Sequence, residues 1–463
     1  MNSNNTRTLN RKKRKARQAL FLAVASFCFL ALLVFVFQDA LPFYNQGSQS
    51  SQGSGGGGDT TLATAGKGLR PPAIPEDWEF TIISTGDIMM HSPQIKAGWQ
   101  PESKSYDFSF MFDKVAPLLR QGDLVIGNLE TPLAGEGNRG FTGYPMFNAP
   151  EVLAKNLKDA GFDVVSTANN HSLDRGFQGL CTTLDNLDAA GLFYTGTFRS
   201  PEEPRILKLE TAGVRIGLIA ATYGTNGLTL PKDKGFGINY INADQLLADI
   251  SQARREGAQY VIVMLHWGVE YQTKPNKEQT ELAQVLLKGG ADLILGNHPH
   301  VLQRGEAIHL AELYAQTEKQ SGQAAAGLPS LVYKASGKDQ IKFVMYSQGN
   351  FVSNQEGMDR LSSIILKLTL GVDGATGEPY FKNAEYIPIY TQRRNRQGIS
   401  RHKVWPLELA MAELTGEAPP FGNEDKTNVP KAWDYIIKSQ PALNLLTLED
   451  TPVWKEIAGE AAP

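Results

Sequence analysis

The chain has 463 residues, 41% of them hydrophobic and 20% charged, with a net charge of −3. That length buries a large core in one big domain or two or three smaller ones, and the composition is ordinary for a globular protein. Seven basic residues and no acid precede residue 19, so the remainder carries −3 minus 7, or −10. Such a balance argues against nucleic acid or anionic lipid as its main partner, and no nucleic-acid partner is expected.

Residues 1–18 form a basic tail holding Arg7, Arg11, Lys12, Lys13, Arg14, Lys15 and Arg17. The apolar run at 19–37, broken only by Ser26, is long enough to span a bilayer, and a transmembrane anchor is expected over 19–38. The basic flank stays in the cytoplasm, which places the bulk of the chain outside the cell membrane as a single-pass protein. A cleaved signal peptide is the rival, but the run exceeds a usual h-region and no A-x-A site follows it. Cys28 falls mid-span and Cys181 is the other cysteine, so no intrachain disulfide is expected outside.

Residues 39–76 read as a flexible linker, with Gln, Gly and Ser almost throughout 46–58. Ordered structure is expected from Asp77. Runs at 80–84, 124–126, 164–167, 216–220, 260–265, 293–295 and 343–346 have the character of buried strands. Between them, 112–120, 151–159, 178–190, 243–255 and 278–288 carry apolar residues at helical spacing. This alternation predicts an α/β domain over 77–400 with a substantially parallel sheet. The polar, Ala-rich stretch 309–341 reads as an insertion. Residues 401–463, with Trp405, Trp433 and Trp454, read as a helical appendage.

The chemistry is concentrated in the phrases GDIMMH, GNLE, ANNH, LHWGVEY and GNHPH, each just after an apolar run. In open α/β sheets ligands gather at the carboxyl ends of strands. Asp87 supplies the negative charge that makes a divalent cation's desolvation tolerable, and the imidazole of His91 suits zinc, iron and manganese. Glu130 is placed as a bridging carboxylate, and Asn170 offers a neutral amide oxygen. His171 is left to act on a substrate. His266 adds an imidazole, and His298 and His300, separated by Pro299, are expected on one side of a strand end. The set reads as a two-metal hydrolytic centre; the alternative is that these residues only terminate strands and cap helices. Tyr223 and Asn226, in TYGTNG, are candidates to line its cleft, though turn chemistry explains that phrase equally well.

On the words GDIMMH, GNLETPL, FNAPEVL, AGFDVVSTANNHSLDRG, LHWGVEY, GADLILGNHPHVLQ and YSQGNFV, the chain resembles the CapA family of poly-γ-glutamate capsule synthesis proteins, within the calcineurin-like metallophosphoesterase superfamily. The resemblance covers roughly 80–352. It implies a four-layer α/β/β/α sandwich whose loops hold two divalent metal ions: manganese, zinc or iron. By position, Asp87, His91 and His300 resemble ligands of one metal, Asn170, His266 and His298 resemble those of the other, and Glu130 lies between. His171 matches the histidine that protonates a leaving oxygen, with Asp174 placed to orient it. The opening Asp-x-His of phosphoesterases is here stretched to Asp87 and His91, and Glu130 stands one position before their second-motif Asp. The implied role is capsule biosynthesis or export beside membrane-embedded polymer synthase subunits, on an acidic polymer or a phosphoester. Two rivals are a metal-dependent phosphoesterase unrelated to capsule and a non-catalytic scaffold of the synthase.

Overall fold

A computed structural model of the chain describes residues 63–64, 77–321, 340–396, 399–414 and 421–453. The apolar run at 19–37, the stretch 46–58, Cys28 and Trp454 lie outside these residues. Among the described residues no helix is long and apolar enough to cross a membrane.

The principal strands are β1 (Trp78–Ile88), β2 (Leu124–Leu129), β3 (Val164–Ser166), β4 (Phe193–Thr195), β5 (Leu207–Thr211), β6 (Val214–Thr222) and β7 (Tyr260–His266). They continue as β8 (Leu293–Asn297), β9 (Gly305–His309), β10 (Ile341–Met345), β11 (Asn350–Val352), β12 (Ser362–Val372), β13 (Pro379–Arg396) and β14 (Ile399–Pro406). One sheet runs β14-β13-β12-β1-β2-β3-β4, with β11 also paired to β1; the other runs β5-β6-β7-β8-β10-β9. Strands β1 to β4 are mutually parallel, as are β6, β7, β8 and β10. The result is a mixed α/β fold.

Side-chain alternation along β7 shows how the sheets are sandwiched. Tyr260, Ile262 and Met264 join Phe80, Ile82 and Ile126 of the first sheet in one buried cluster, with Tyr260 and Phe80 rings 5.4 Å apart. Val261, Val263 and Leu265 point the other way. They meet Leu246 and Ile250 of the helix Ala243–Arg255 and Leu286 and Leu287 of the helix Lys277–Lys288. His266 continues the inner parity, so the step of two along a strand delivers its imidazole to the space between the sheets. Helices Val152–Ala160 and Gly176–Ala190 pack Leu153, Leu157, Leu180 and Leu184 into the first sheet's cluster.

Asp292, just before β8, pins three elements. Its carboxylate accepts from Lys342 Nζ at 2.5 Å, from Val261 N at 2.7 Å and from Arg254 Nη2. Burial would raise this carboxyl, but the Arg254 and Lys342 charges outweigh it and hold it low. The stabilisation is therefore present above the ordinary value of 3.8 and lost as pH falls through the lower folded value. Asp292→Asn is expected to cost about 3 kcal/mol at neutral pH, because it leaves two largely buried cations uncompensated. Urea unfolding at pH 7 measures this, and a loss below about 1 kcal/mol contradicts it.

Three differences from the sequence reading have physical causes. Helix is expected over 112–120, but only the single turn Ala116–Leu119 forms; Pro117 fits a first turn, not a helix interior. A boundary at 400 cuts through β14, which pairs with β13 from Ile389↔Pro406 to Arg396↔Ile399. The helices that follow, Leu407–Leu414 and Asn423–Ser439, put Leu407, Val429, Ala432 and Ile436 into the main core. The insertion at 309–341 begins as helix Leu310–Ser321 and bridges β9 and β10, which are antiparallel from Gly305↔Met345 to His309↔Ile341.

Candidate metal centre

Both sheets direct the carboxyl ends of their parallel strands at one place. Asp87 is near the end of β1, and Glu130 follows β2. Asn170 and His171 lie in the loop after β3, His266 ends β7, and His298 and His300 follow β8. All seven are buried, Asp87 and Glu130 completely. Gly86 permits the approach: a Cβ there would stand 1.9 Å from Gly349 O, where Asp87 N donates to that carbonyl at 2.9 Å.

Asp87 joins the two sheets. Its Oδ1 accepts from Asn128 Nδ2 at 2.7 Å; its Oδ2 accepts from His298 N at 3.3 Å and stands 3.1 Å from His300 Nδ1. His298 and His300 do not reach the centre by strand alternation, because β8 ends at Asn297. Their φ angles are 100° and 60°, in the left-handed region. Such conformations cost on the order of 1–3 kcal/mol each. Asp87 on His298 N, and Pro299 O accepting from Tyr271 N at 2.8 Å, hold them there.

Ligand-capable atoms fall into three overlapping trios, each within 4.8 Å: Asp87, Glu130 and His300; Glu130, His266 and His298; Glu270, His298 and His300. Glu130 Oε1 stands 3.5 Å from His266 Nε2 and 3.8 Å from His300 Nε2. Asn170 Oδ1 is 2.9 Å from His266 Nε2.

The donor set fits divalent cations. Both Glu130 oxygens are buried without a hydrogen-bond partner, as is His298 Nδ1. An uncompensated buried carboxylate is too costly to keep for packing alone. Two ligand atoms each about 2.1 Å from one tetrahedral cation stand about 3.4 Å apart, close to the Glu130 to His266 separation.

Electrostatics point the same way. Burial, then the charge of Asp87, pushes Glu130 well above the carboxylate range. Burial would lift Asp87 too, but its hydrogen bond to His300 and that residue's charge hold it below its ordinary value. Burial opposes charge on His300, yet Glu130 and Asp87 push it up to about 9. Burial drives His266 down to about 3 and His298 down to about 2, leaving both as neutral, ligand-ready imidazoles.

Beside this cluster, His171 Nδ1 is 2.8 Å from Asp174 Oδ2, which also accepts from Phe147 N at 2.6 Å. The Phe147 ring stands edge-on to His171 at 4.6 Å. Asn169 locks the loop: its Oδ1 accepts from His171 N at 3.1 Å and its Nδ2 donates to Leu129 O at 2.8 Å. His91 stays outside the three trios. It caps the helix Ser92–Gly98, its Nδ1 accepts from Asn354 N at 3.3 Å, and burial lowers it to about 4. The expected grouping of Asp87 and His300 with His91 is thus replaced, among the close trios, by Asp87 and His300 with Glu130.

Tyr223 and Asn226 do reach the centre. The Tyr223 ring is 4.5 Å from His298, and Asn226 Oδ1 accepts from Asn170 Nδ2 at 3.3 Å. Sequence reasoning missed Asn128, Asn350 and Glu270. Asn350 Oδ1 is 3.0 Å from His300 Nδ1, and Asn128 Nδ2 is 3.3 Å from His266 Nδ1. The signal was present: Asn128 sits in GNLE, Asn350 in YSQGNFV and Glu270 in LHWGVEY.

The family model for the bacterial capsule synthesis protein PGA_cap matches residues 81–355, which include every residue named at this centre. The chain belongs to that family. The capsule biosynthesis protein CapA of Bacillus anthracis is 33% identical over 244 residues, covering 51% of this chain and 58% of that protein. The PGA biosynthesis protein CapA of Bacillus subtilis (strain 168) is 35% identical over 231 residues, covering 47% and 57%. The chain thus spans less than two thirds of the length of the curated relatives it matches. Among solved structures, the NAD nucleotidase NadN of Haemophilus influenzae matches with a TM-score of 0.41 at 13% identity, over 83% of this chain and 60% of that one.

Proposed function

We propose that this chain acts in poly-γ-glutamate capsule biosynthesis or export, using a metallophosphoesterase-like centre that holds two divalent cations. One observation carries the metal reading: the buried, unpartnered carboxylate of Glu130 set between the imidazoles of His266 and His300. Family membership and the two Bacillus CapA relatives support the capsule role. The basic tail and the apolar run at 19–37 support a single-pass anchor with the globular part outside. In that position it would work beside membrane-embedded synthase subunits on an acidic polymer or phosphoester.

Asp87, Glu130, Asn170, His266, His298 and His300 would hold the cations, with Glu130 shared between the two sites. When bound, they would polarise the scissile group and make hydroxide available near neutral pH. His171 supplies the proton: Asp174 fixes its Nδ1, which leaves Nε2 to exchange a proton with a leaving oxygen. Tyr223, half exposed above His298, lines the approach. The reaction class is hydrolysis or transfer at a phosphoester or an amide carbonyl.

Removal of the gene from its host is expected to abolish surface poly-γ-glutamate. The parent chain should restore it and Glu130→Gln should not. Unchanged polymer after removal contradicts the capsule role.

Cation affinity is also expected to depend on pH. Binding requires Glu130 as carboxylate and His300 as neutral imidazole, whereas in the metal-free chain both are shifted toward holding protons at pH 7. Affinity should therefore rise with pH up to about 9, by about tenfold per pH unit for each proton displaced. Titration calorimetry with manganese at pH 6, 7 and 8 measures it; a flat profile contradicts it.

A further inference from the structure

Of the six residues in the three trios, Glu270 alone is exposed. It also differs in origin, lying four residues past the end of β7 on a loop rather than at a strand terminus. Even so, one of its carboxylate oxygens is within 4.8 Å of imidazole nitrogens of both His298 and His300. His298 is 3% exposed, and its Nδ1 has no hydrogen-bond partner. A buried polar atom left unpaired in this way costs about 1–3 kcal/mol unless a ligand completes it.

The loop that carries Glu270 is not a loose surface segment. Tyr271, the next residue, is held at φ 67° with its N–H on Pro299 O, between the two histidines. Gln303 Nε2 reaches under the loop, 2.8 Å from Gln272 O and 3.2 Å from Lys274 O. Gln303 is itself fixed: its Oε1 accepts from Gln279 Nε2 at 2.9 Å, and its carbonyl accepts from Gln440 Nε2 at 2.9 Å. Gln279, Gln303 and Gln440 are all buried, so the loop's backbone is tied to the helix Lys277–Lys288 and to the end of the helix Asn423–Ser439. An exposed carboxylate on a freely moving loop would be lost to solvent; this one is held above the imidazoles.

The Tyr223 and Tyr271 rings flank this approach, 4.5 Å from His298 and 6.1 Å from His300, respectively.

We infer that Glu270 is a further cation ligand, entering the centre from the solvent side beside His298 and His300. The inference rests on the two-cation reading above. It makes Glu270 the one ligand at this centre that an incoming substrate can displace without disturbing the buried set.

The test is manganese binding to the full-length chain, with Mn2+ alone as probe, in parent and Glu270→Gln. The variant is expected to bind manganese at least about tenfold more weakly, in line with what lesser changes around metal sites cost. The electron paramagnetic resonance spectrum of the bound ion should change. Thermal unfolding of the metal-free variant should match the parent, because the side chain is exposed. Parent-like affinity and spectrum in Glu270→Gln overturn this inference and leave the two-cation reading standing. Failure of the parent itself to bind manganese overturns both.

Discussion

Replacing Glu130 by Gln is expected to abolish tight binding of divalent cations while leaving the metal-free chain as stable as the parent, within about 1 kcal/mol. The carboxylate is completely buried, and neither oxygen has a hydrogen-bond partner. In the metal-free protein burial and Asp87 push it toward the protonated form, and a neutral side chain of equal length takes its place without opening a cavity. With cation at about 100 times its dissociation constant, the parent gains about 2.7 kcal/mol of stability, and the variant should gain almost none. Thermal unfolding with chelator and with manganese separates the two conditions. Equal stabilisation of parent and variant by manganese would remove Glu130 from the ligand set.

His171→Ala is expected to lower turnover of an aryl phosphodiester by about 10²–10⁴-fold while leaving cation content unchanged. The dyad with Asp174 is built before any substrate arrives. Asp174 is completely buried, accepts from Phe147 N, and presents the same oxygen to His171 Nδ1. That oxygen selects one tautomer and one ring orientation. His171→Asn keeps a side chain able to meet Asp174 but not one that can pass a proton, so it should lose as much rate as Ala with less effect on folding. Parent-like turnover in both variants would show that His171 does not supply the proton and would favour the scaffold reading.

The parallel half of the fold was legible because its strands are short apolar runs buried on both faces. The residues after them sit where such sheets collect ligands, which is why Asp87, Glu130, His266, His298 and His300 were found together. The antiparallel extension β12 to β14 was not read. Its pairing is a property of two partners, as in Ile365↔Ile387, and periodicity within one run does not reveal it. The boundary at 400 failed for the same reason.

Within the site, strand alternation does not account for the placement of His298 and His300, because β8 ends at Asn297. Left-handed backbone past Asn297, stabilised by Asp87 from the opposite sheet, turns them inward. Such a contact spans 211 positions of sequence and leaves no local pattern. Glu270 escaped because it follows its strand by four residues. Its position is set by Gln303, a glutamine with no evident chemistry of its own.

Elemental analysis of the full-length chain, purified without chelator, tests the account most directly. Two equivalents of a divalent transition metal are expected in the parent, with loss in a His266→Ala, His298→Ala double variant that still folds. A parent chain that carries no metal and takes up none on dialysis against manganese, zinc or iron would contradict it.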